Sequence, residues 1–149
     1  GVLLSQGRTD GGYSLYIQNG KLCHAYHYVG RNRYYVESTV AVAPGRHQLR
    51  FEFEVTDKPD IPHGKGAPGK GHLYIDGKEV GQSDIPLTNT LSIGLLSTIN
   101  CGADVGAPVT PQYKPPFAFT GKIYKVTVDV SGELIRDHEA ELRRHLARQ

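Results

Sequence analysis

GGYSLYIQNGKLCHAYHYVG, residues 11–30, is the stretch on which the reading of the whole chain turns. Tyr13 to Gln18 alternates apolar and polar side chains, and β-branched and aromatic residues dominate again after Asn19-Gly20. Asn-Gly between two such runs predicts a β-hairpin, because a type I′ turn needs positive φ at both central residues. A strand over 21–29 then sends successive side chains to opposite sides. Cys23, Ala25, His27 and Val29 share one face; Leu22, His24, Tyr26 and Tyr28 share the other.

The same stretch brings Cys23, His24 and His27 together in sequence. On a helix the i, i+4 pair Cys23 and His27 would converge on a metal. On a strand the two stand roughly 13 Å apart, too far for one zinc ion with bonds of about 2.0–2.3 Å. His24 points away from both. The cluster therefore reads as structural, with no metal or nucleophile role.

At 149 residues the chain fits one domain able to bury a core. A net charge of +2 gives no argument for a nucleic-acid partner, and Arg31 and Arg33 beside Tyr34 and Tyr35 form a patch far short of a basic face. No run of about 18 apolar residues is present, so no membrane span is expected. The chain enters Val2-Leu3-Leu4 directly after Gly1 without a signal peptide, and the expectation is a domain excised from a longer polypeptide. Cys23 and Cys101 could pair, and closing so long a loop would stabilise the fold by about 4 kcal/mol. Two reduced, buried thiols are expected instead.

Strand signals recur along the chain with turn residues between them, the mark of an all-β sandwich or barrel, and an antiparallel two-sheet sandwich is the expectation. Over 47–55, Leu49, Phe51, Phe53 and Val55 face inward and Gln48, Arg50, Glu52 and Glu54 meet water. Asp76-Gly77 predicts a second two-residue hairpin between strands at 72–75 and 78–82. Leu91, Ile93 and Leu95 form one face of a further strand. In FAFTGKIYKVTVDV, residues 117–130, the apolar set changes parity between Ile123 and Tyr124. A bulge near 121–124 would keep both sets in the core. Leu134, Ile135, His138, Leu142 and Leu146 recur at helical spacing, so the domain is expected over 1–131 and an amphipathic helix over 132–149.

The Pro- and Gly-rich segment 57–71 predicts an exposed, mobile loop. Its GKGAPGKG nearly matches a phosphate-binding loop but has Gly71 in place of the metal-binding hydroxyl, and a strand follows instead of a helix. Asp104 in a Gly-broken segment could serve calcium, but a single carboxylate falls short of the six to eight oxygens required; a turn-stabilising Asp is the plainer reading. The seven histidines are scattered, no nucleophile elbow is present, and no carboxylate pair is singled out for acid–base work. A non-catalytic module is favoured over an enzyme assembled from distant groups.

One feature asks for a partner. The 21–29 strand is apolar or aromatic on both faces, as a strand covered on both sides would be. One face belongs to the sandwich core; the other, expected to be the one bearing Leu22, Tyr26 and Tyr28, must meet a sugar-like ligand or another domain, or else be covered by the 57–71 loop or the tail helix, an alternative of at least equal weight. Tyr26, Tyr28, Arg31, Arg33 and Tyr35 make up the candidate contact surface.

GGYSLYIQNGKLCHAYHYVG, GRHQLRFEFEV, GKGHLYIDGKEVGQSDIPLT and PFAFTGKIYKVTVDV, in this order and spacing, resemble the C-terminal region of bacterial arylsulfatases over roughly residues 1–130. GADVGAPVTPQY followed by PFAFTGKI is the most specific part. The resemblance implies a jelly-roll accessory domain of concanavalin or laminin-G type that packs against a sulfatase catalytic domain in the same polypeptide, in the cytoplasm or periplasm of a bacterium. It carries no catalytic residue over: sulfatases use a Cys or Ser in a C/S-x-P-S-R motif, and neither Cys23-His24-Ala25-Tyr26 nor Cys101-Gly102-Ala103-Asp104 fits. Formylglycine and the divalent metal, calcium, would belong to the catalytic domain, leaving no cofactor in this chain. The alternative is a free-standing lectin-like module that binds a neutral or sulfated carbohydrate.

Overall fold

The computed structural model describes residues 1–90 and 98–131. Eight strands form among them: β1 (Val2–Arg8), β2 (Gly11–Gln18), β3 (Lys21–Tyr28), β4 (Asn32–Ala41), β5 (Leu49–Val55), β6 (Gly69–Ile75), β7 (Lys78–Ile85) and β8 (Ile99–Cys101). The two predicted hairpins are present. Asn19 (φ 51°) and Gly20 (φ 77°) turn β2 into β3, while Asp76 (φ 51°) and Gly77 (φ 80°) turn β6 into β7. Positive φ at both central residues gives the turn a twist that matches the strands it joins.

The strands form two antiparallel sheets, a five-stranded one in the order β4-β3-β2-β1-β8 and a three-stranded one in the order β5-β6-β7. Alternation sets the inner face of the small sheet. On β5, Leu49, Phe51 and Phe53 are half-buried while Arg50, Glu52 and Glu54 are exposed; Val55, expected inside, is exposed at the strand end. Leu73 and Val80 of the small sheet pack on Leu22 and Val36 of the large one. At the β4–β7 edge the layers nearly touch: Thr39 Oγ1 donates to the Val80 carbonyl over 3.0 Å.

A second cluster lies on the far face of the large sheet. Val2, Tyr16, Cys23, Ala25 and Tyr113 are buried there, with Tyr35 and Phe117 packed against them. The cover is irregular chain over 104–117. Both faces of β3 are thus closed. Leu22, His24 and Tyr26 face the small sheet, and Cys23, Ala25 and His27 face the 104–117 cover.

Several expectations change in detail. β6 begins at Gly69, before the expected 72, and the loop ahead of it is tied down. Asp60 and Asn89 both form bridges with Lys65, the Gly66 amide donates to the Thr88 carbonyl over 2.8 Å, and Thr88 Oγ1 donates to the Ala67 carbonyl over 2.7 Å. Segment 117–130 does not carry both apolar sets into the core. Ala118 bridges Val2, but Tyr124, Val126, Val128 and Val130 are exposed among the described residues, because no described strand pairs with them. The expected strand at Leu91, Ile93 and Leu95 and the expected helix over 132–149 lie outside the described residues. Cys23 is buried and free, whereas Cys101, also expected to be buried, is exposed and free. β2 and β1 intervene between β3 and β8, roughly 14 Å at the usual strand spacing, twice the reach of a disulfide.

Gly71 lies where the layers come close together. A methyl group there would lie 2.8 Å from Phe51 Cε2 and 2.9 Å from Val36 Cγ2. Gly71→Ala is expected to lower unfolding free energy by about 1–3 kcal/mol through overpacking, and Leu73→Ala by about 2–5 kcal/mol through the cavity it leaves. Urea denaturation measures both; a neutral Gly71→Ala would show that the sheets are not closely apposed at this point.

Candidate functional site

The reactive side chains of β3 divide between its two faces. On the small-sheet side the His24 ring lies flat on Phe51, with centroids 3.5 Å apart and planes 6° from parallel. Burial on all sides pushes the imidazole down to about 3, so it is neutral at ordinary pH. The Tyr26 hydroxyl accepts the Asn89 amide N–H over 2.7 Å, and burial raises its pKa. The Tyr28 hydroxyl donates to the Gly64 carbonyl over 3.2 Å. The face expected to look outward thus packs on the small sheet and on the loops flanking it. The reason is that the strands between residues 49 and 85 bring their apolar face to this side.

The other face holds a buried polar network. The Tyr113 hydroxyl donates to Asp104 Oδ2 over 2.6 Å and lies 2.9 Å from Ser14 Oγ. Asp104 is 1% exposed and Ser14 0%, so the network is closed to solvent. Burial, then the Asp104 carboxylate, raises the Tyr113 pKa. Its ring meets Tyr16 edge-on at 5.2 Å and stacks on Phe117 at 4.8 Å. Further pins fasten the cover. Tyr35 Oη and Thr110 Oγ1 are 3.0 Å apart, Tyr16 bonds Gln112 Oε1, and Gln18 Nε2 donates to the Gln112 carbonyl over 2.7 Å. Cys23 sits beneath this cover, its thiol pushed up to about 11 by burial and then by Glu37. Such a thiol is protonated at neutral pH and a poor nucleophile.

The five candidate contact residues do not form one surface. Tyr26 and Tyr28 lie on the small-sheet side. Arg33 and Tyr35, opposite His27 and Ala25 in register, lie on the other, where Tyr35 holds Thr110. Arg31 is in the turn, its amide donating to the Tyr28 carbonyl over 2.9 Å. Tyr34, opposite Tyr26, shares the small-sheet side and was not singled out from sequence. Arg31 and Arg33 are exposed and Tyr34 is half-buried, so the exposed part of the candidate surface is the β3–β4 turn.

Asp104 serves neither solvent nor an open turn; its carboxylate is spent on Tyr113. The glycines of GKGAPGKG have structural uses. Gly64 caps a short 3-10 turn (Ile61–His63) in the left-handed region, and Gly69 and Gly71 lie in β6. Tyr113, Thr110 and Val109 are the residues missed by sequence reasoning. They carry no periodicity, and their one signal is the GADVGAPVTPQY stretch itself. Among the described residues no group of three His, Cys, Asp or Glu side chains converges as metal ligands would. No protein-family model matches the chain, and no curated protein or solved structure does so either.

Two outcomes follow from this geometry. A thiol raised from 9.0 to about 11 has roughly a hundredfold less thiolate, so a disulfide reagent at pH 8 should label Cys101 quickly and Cys23 at least a hundredfold more slowly until urea is added. Mass spectrometry of the labelled peptides distinguishes them, and equal rates would refute the cover over Cys23. Tyr113→Phe leaves the Asp104 carboxylate without its phenol and should cost about 1–3 kcal/mol in urea denaturation.

Proposed function

We propose that the chain is the non-catalytic β-sandwich domain of an arylsulfatase-like sulfuric ester hydrolase, packing against a catalytic domain of the same polypeptide and shaping access to it. One observation carries the reading. The stretch most specific to the arylsulfatase resemblance, Gly102–Tyr113 followed by Pro116–Ile123, contains the buried cover of the large sheet, with Val109, Thr110 and Tyr113 at its centre. A shared signature made of packing residues fits an accessory domain, whereas an enzyme would share its reacting groups.

The chemistry of the described residues supports the same role. Cys23 is protonated, His24 is neutral and stacked, and Asp104 is enclosed, so these three are held away from substrate, while Cys101 is exposed. Formylglycine and calcium would then be held by the catalytic domain. Arg31 and Arg33 at the β3–β4 turn, with half-buried Tyr34 beside them, suit a polar, arginine-bearing contact with a neighbouring domain.

The test uses the full-length product of the gene. Its coding sequence ahead of Gly1 should encode a C/S-x-P-S-R motif, and the whole protein should hydrolyse an aryl sulfate in the presence of calcium. The chain by itself should not, and turnover by the isolated chain that disappears on changing Cys23 or Cys101 would overturn the proposal. Arg31→Glu with Arg33→Glu should shift the melting temperature of the isolated chain by no more than about 4 °C at pH 7.5, where His27 is uncharged, since each exposed substitution typically changes stability by less than 0.5 kcal/mol. In the full-length enzyme the same pair should lower kcat/KM or the melting temperature. Binding of a sulfated or neutral glycan by the isolated chain, lost in Tyr28→Ala, would support a lectin-like module instead.

A further inference from the structure

β3 carries two buried histidines three residues apart, one on each face. His24 is 3% exposed and His27 0%. Leu15 on β2 and Val36 on β4 stand opposite His24 in register, Phe51 of β5 lies flat on its ring, and Leu73 and Val80 line the small sheet on this side. Among the described residues the titratable groups on this side are the Tyr26 hydroxyl, which accepts from Asn89, the Tyr28 hydroxyl, which donates to the Gly64 carbonyl, and Tyr34 of β4 opposite Tyr26. His24 Nδ1 has no hydrogen-bond partner. Among the described residues no carboxylate pairs with the His24 ring.

His27 is enclosed differently. Gly12 of β2 and Arg33 of β4 stand opposite it in register, and neither ring nitrogen reaches hydrogen-bond geometry. The Arg33 guanidinium opposes a charge on the ring. The Asp10 carboxylate and the Arg8 and Gly30 backbones favour one, but more weakly than desolvation and Arg33 together oppose it. On the same face Asp104 and Tyr113 are engaged with each other at Ser14, the residue opposite Ala25, and Cys23 is protonated beyond it.

We propose that His24 and His27 make β3 an acid-sensitive latch, which holds the sandwich closed while both rings are neutral and takes up two protons when it opens. The two rings guard different interfaces. A charge on His24 acts against the packing of the small sheet, and a charge on His27 acts against the end of the large sheet beside the β3–β4 turn. Every layer of the fold rests on β3, so the two uptakes belong to one opening event.

Burial lowers the pKa of both groups, that of His24 from 6.5 to about 3. The unfolded chain therefore binds these protons near pH 6.5 and the folded chain does not. Stability is complete above that pH and declines as the pH falls below it. Each histidine reduces the folding equilibrium constant by up to tenfold per pH unit, the pair by up to a hundredfold. His47 works the other way: its hydrogen bond to Asp76 raises its pKa, so it favours the folded state on moving to lower pH and makes the net decline shallower. Carboxylates contribute little above about pH 5 because their unfolded values lie near 4.

Urea unfolding of the whole chain between pH 7.5 and 5.0 tests the latch. The difference between wild type and His24→Phe should approach tenfold per pH unit below pH 6, and the double variant His24→Phe with His27→Gln should remove more of the pH slope than His24→Phe alone. A well-folded double variant with an unchanged pH slope would overturn the proposal. A second measurement does not depend on variant folding. In the wild-type chain, the ring Cε1–H resonances of His24 and His27 should keep their neutral shifts down to the pH at which the fold is lost. Titration of either ring between pH 6 and 7 with the fold intact would sink the latch, and silence of both until global opening supports it.

Discussion

The constraint from which this structure follows is a strand with no face that can be given to water. β3 presents Leu22, His24 and Tyr26 on one side and Cys23, Ala25 and His27 on the other, and all but Tyr26 are buried. An antiparallel sheet can leave one side solvated; the one built around β3 cannot. The chain covers the first side with a second sheet and the second with irregular chain. The first solution follows from regular alternation in β5 and β6. The second lacks strand hydrogen bonds, so it needs specific side-chain pins, and Tyr113, Thr110 and Gln112 provide them from successive parts of one segment.

That difference explains how much of the molecule was legible from sequence. Both Asn19-Gly20 and Asp76-Gly77 read as hairpins because the turn chemistry is local and nearly unique. The alternation of Leu49, Phe51 and Phe53 gave the inner face of the small sheet, and the two antiparallel layers followed. The cover over 104–117 was illegible as structure. Its aromatic and apolar members are spaced by prolines and glycines, without the period of a strand or a helix, and are united by their contacts with β2, β3 and β4. The candidate surface failed for a related reason. Period-two reasoning correctly separated Tyr26 and Tyr28 from Cys23 and His27, but it could not say which side the small sheet would take, nor that Tyr35 would turn away from Tyr26 while Tyr34 joined it.

The same burial that secures the fold suppresses the chemistry of its side chains. A thiol, two imidazoles, a carboxylate and several phenols sit in or beside β2 and β3, and each is moved or held toward a less reactive state. Desolvation drives the acids up and the bases down, and the paired groups are turned on one another. Cys23 is disarmed as a nucleophile, burial disfavours a proton on His24 and His27, and Asp104 is committed to Tyr113. Histidine, cysteine and tyrosine here act as medium-sized, mostly apolar packing units whose polar atoms are costly to satisfy. His27, with neither ring nitrogen bonded, shows the cost directly.

The rim of the described sandwich is uneven. The outer face of the small sheet is laced with its own ion pairs. Arg50 contacts Glu52 at 2.9 Å and lies over the Tyr74 ring at 3.9 Å, and His72 lies between Glu54 and Glu79 at 3.2 and 3.1 Å. Those groups already have partners, and exposed pairs of this kind contribute little to stability, so this face is suited to remaining in water. At the β3–β4 turn, Arg31 and Arg33 project with no ion pair recorded among the described residues. Arginine in that position, next to a half-buried tyrosine, is the composition of a contact surface with more binding capacity than the fold itself uses. The turn also ends the strand that bears both buried histidines. A neighbour seated there would brace β3 against opening, and this physical link joins the proposed accessory role to the proton sensitivity of the latch.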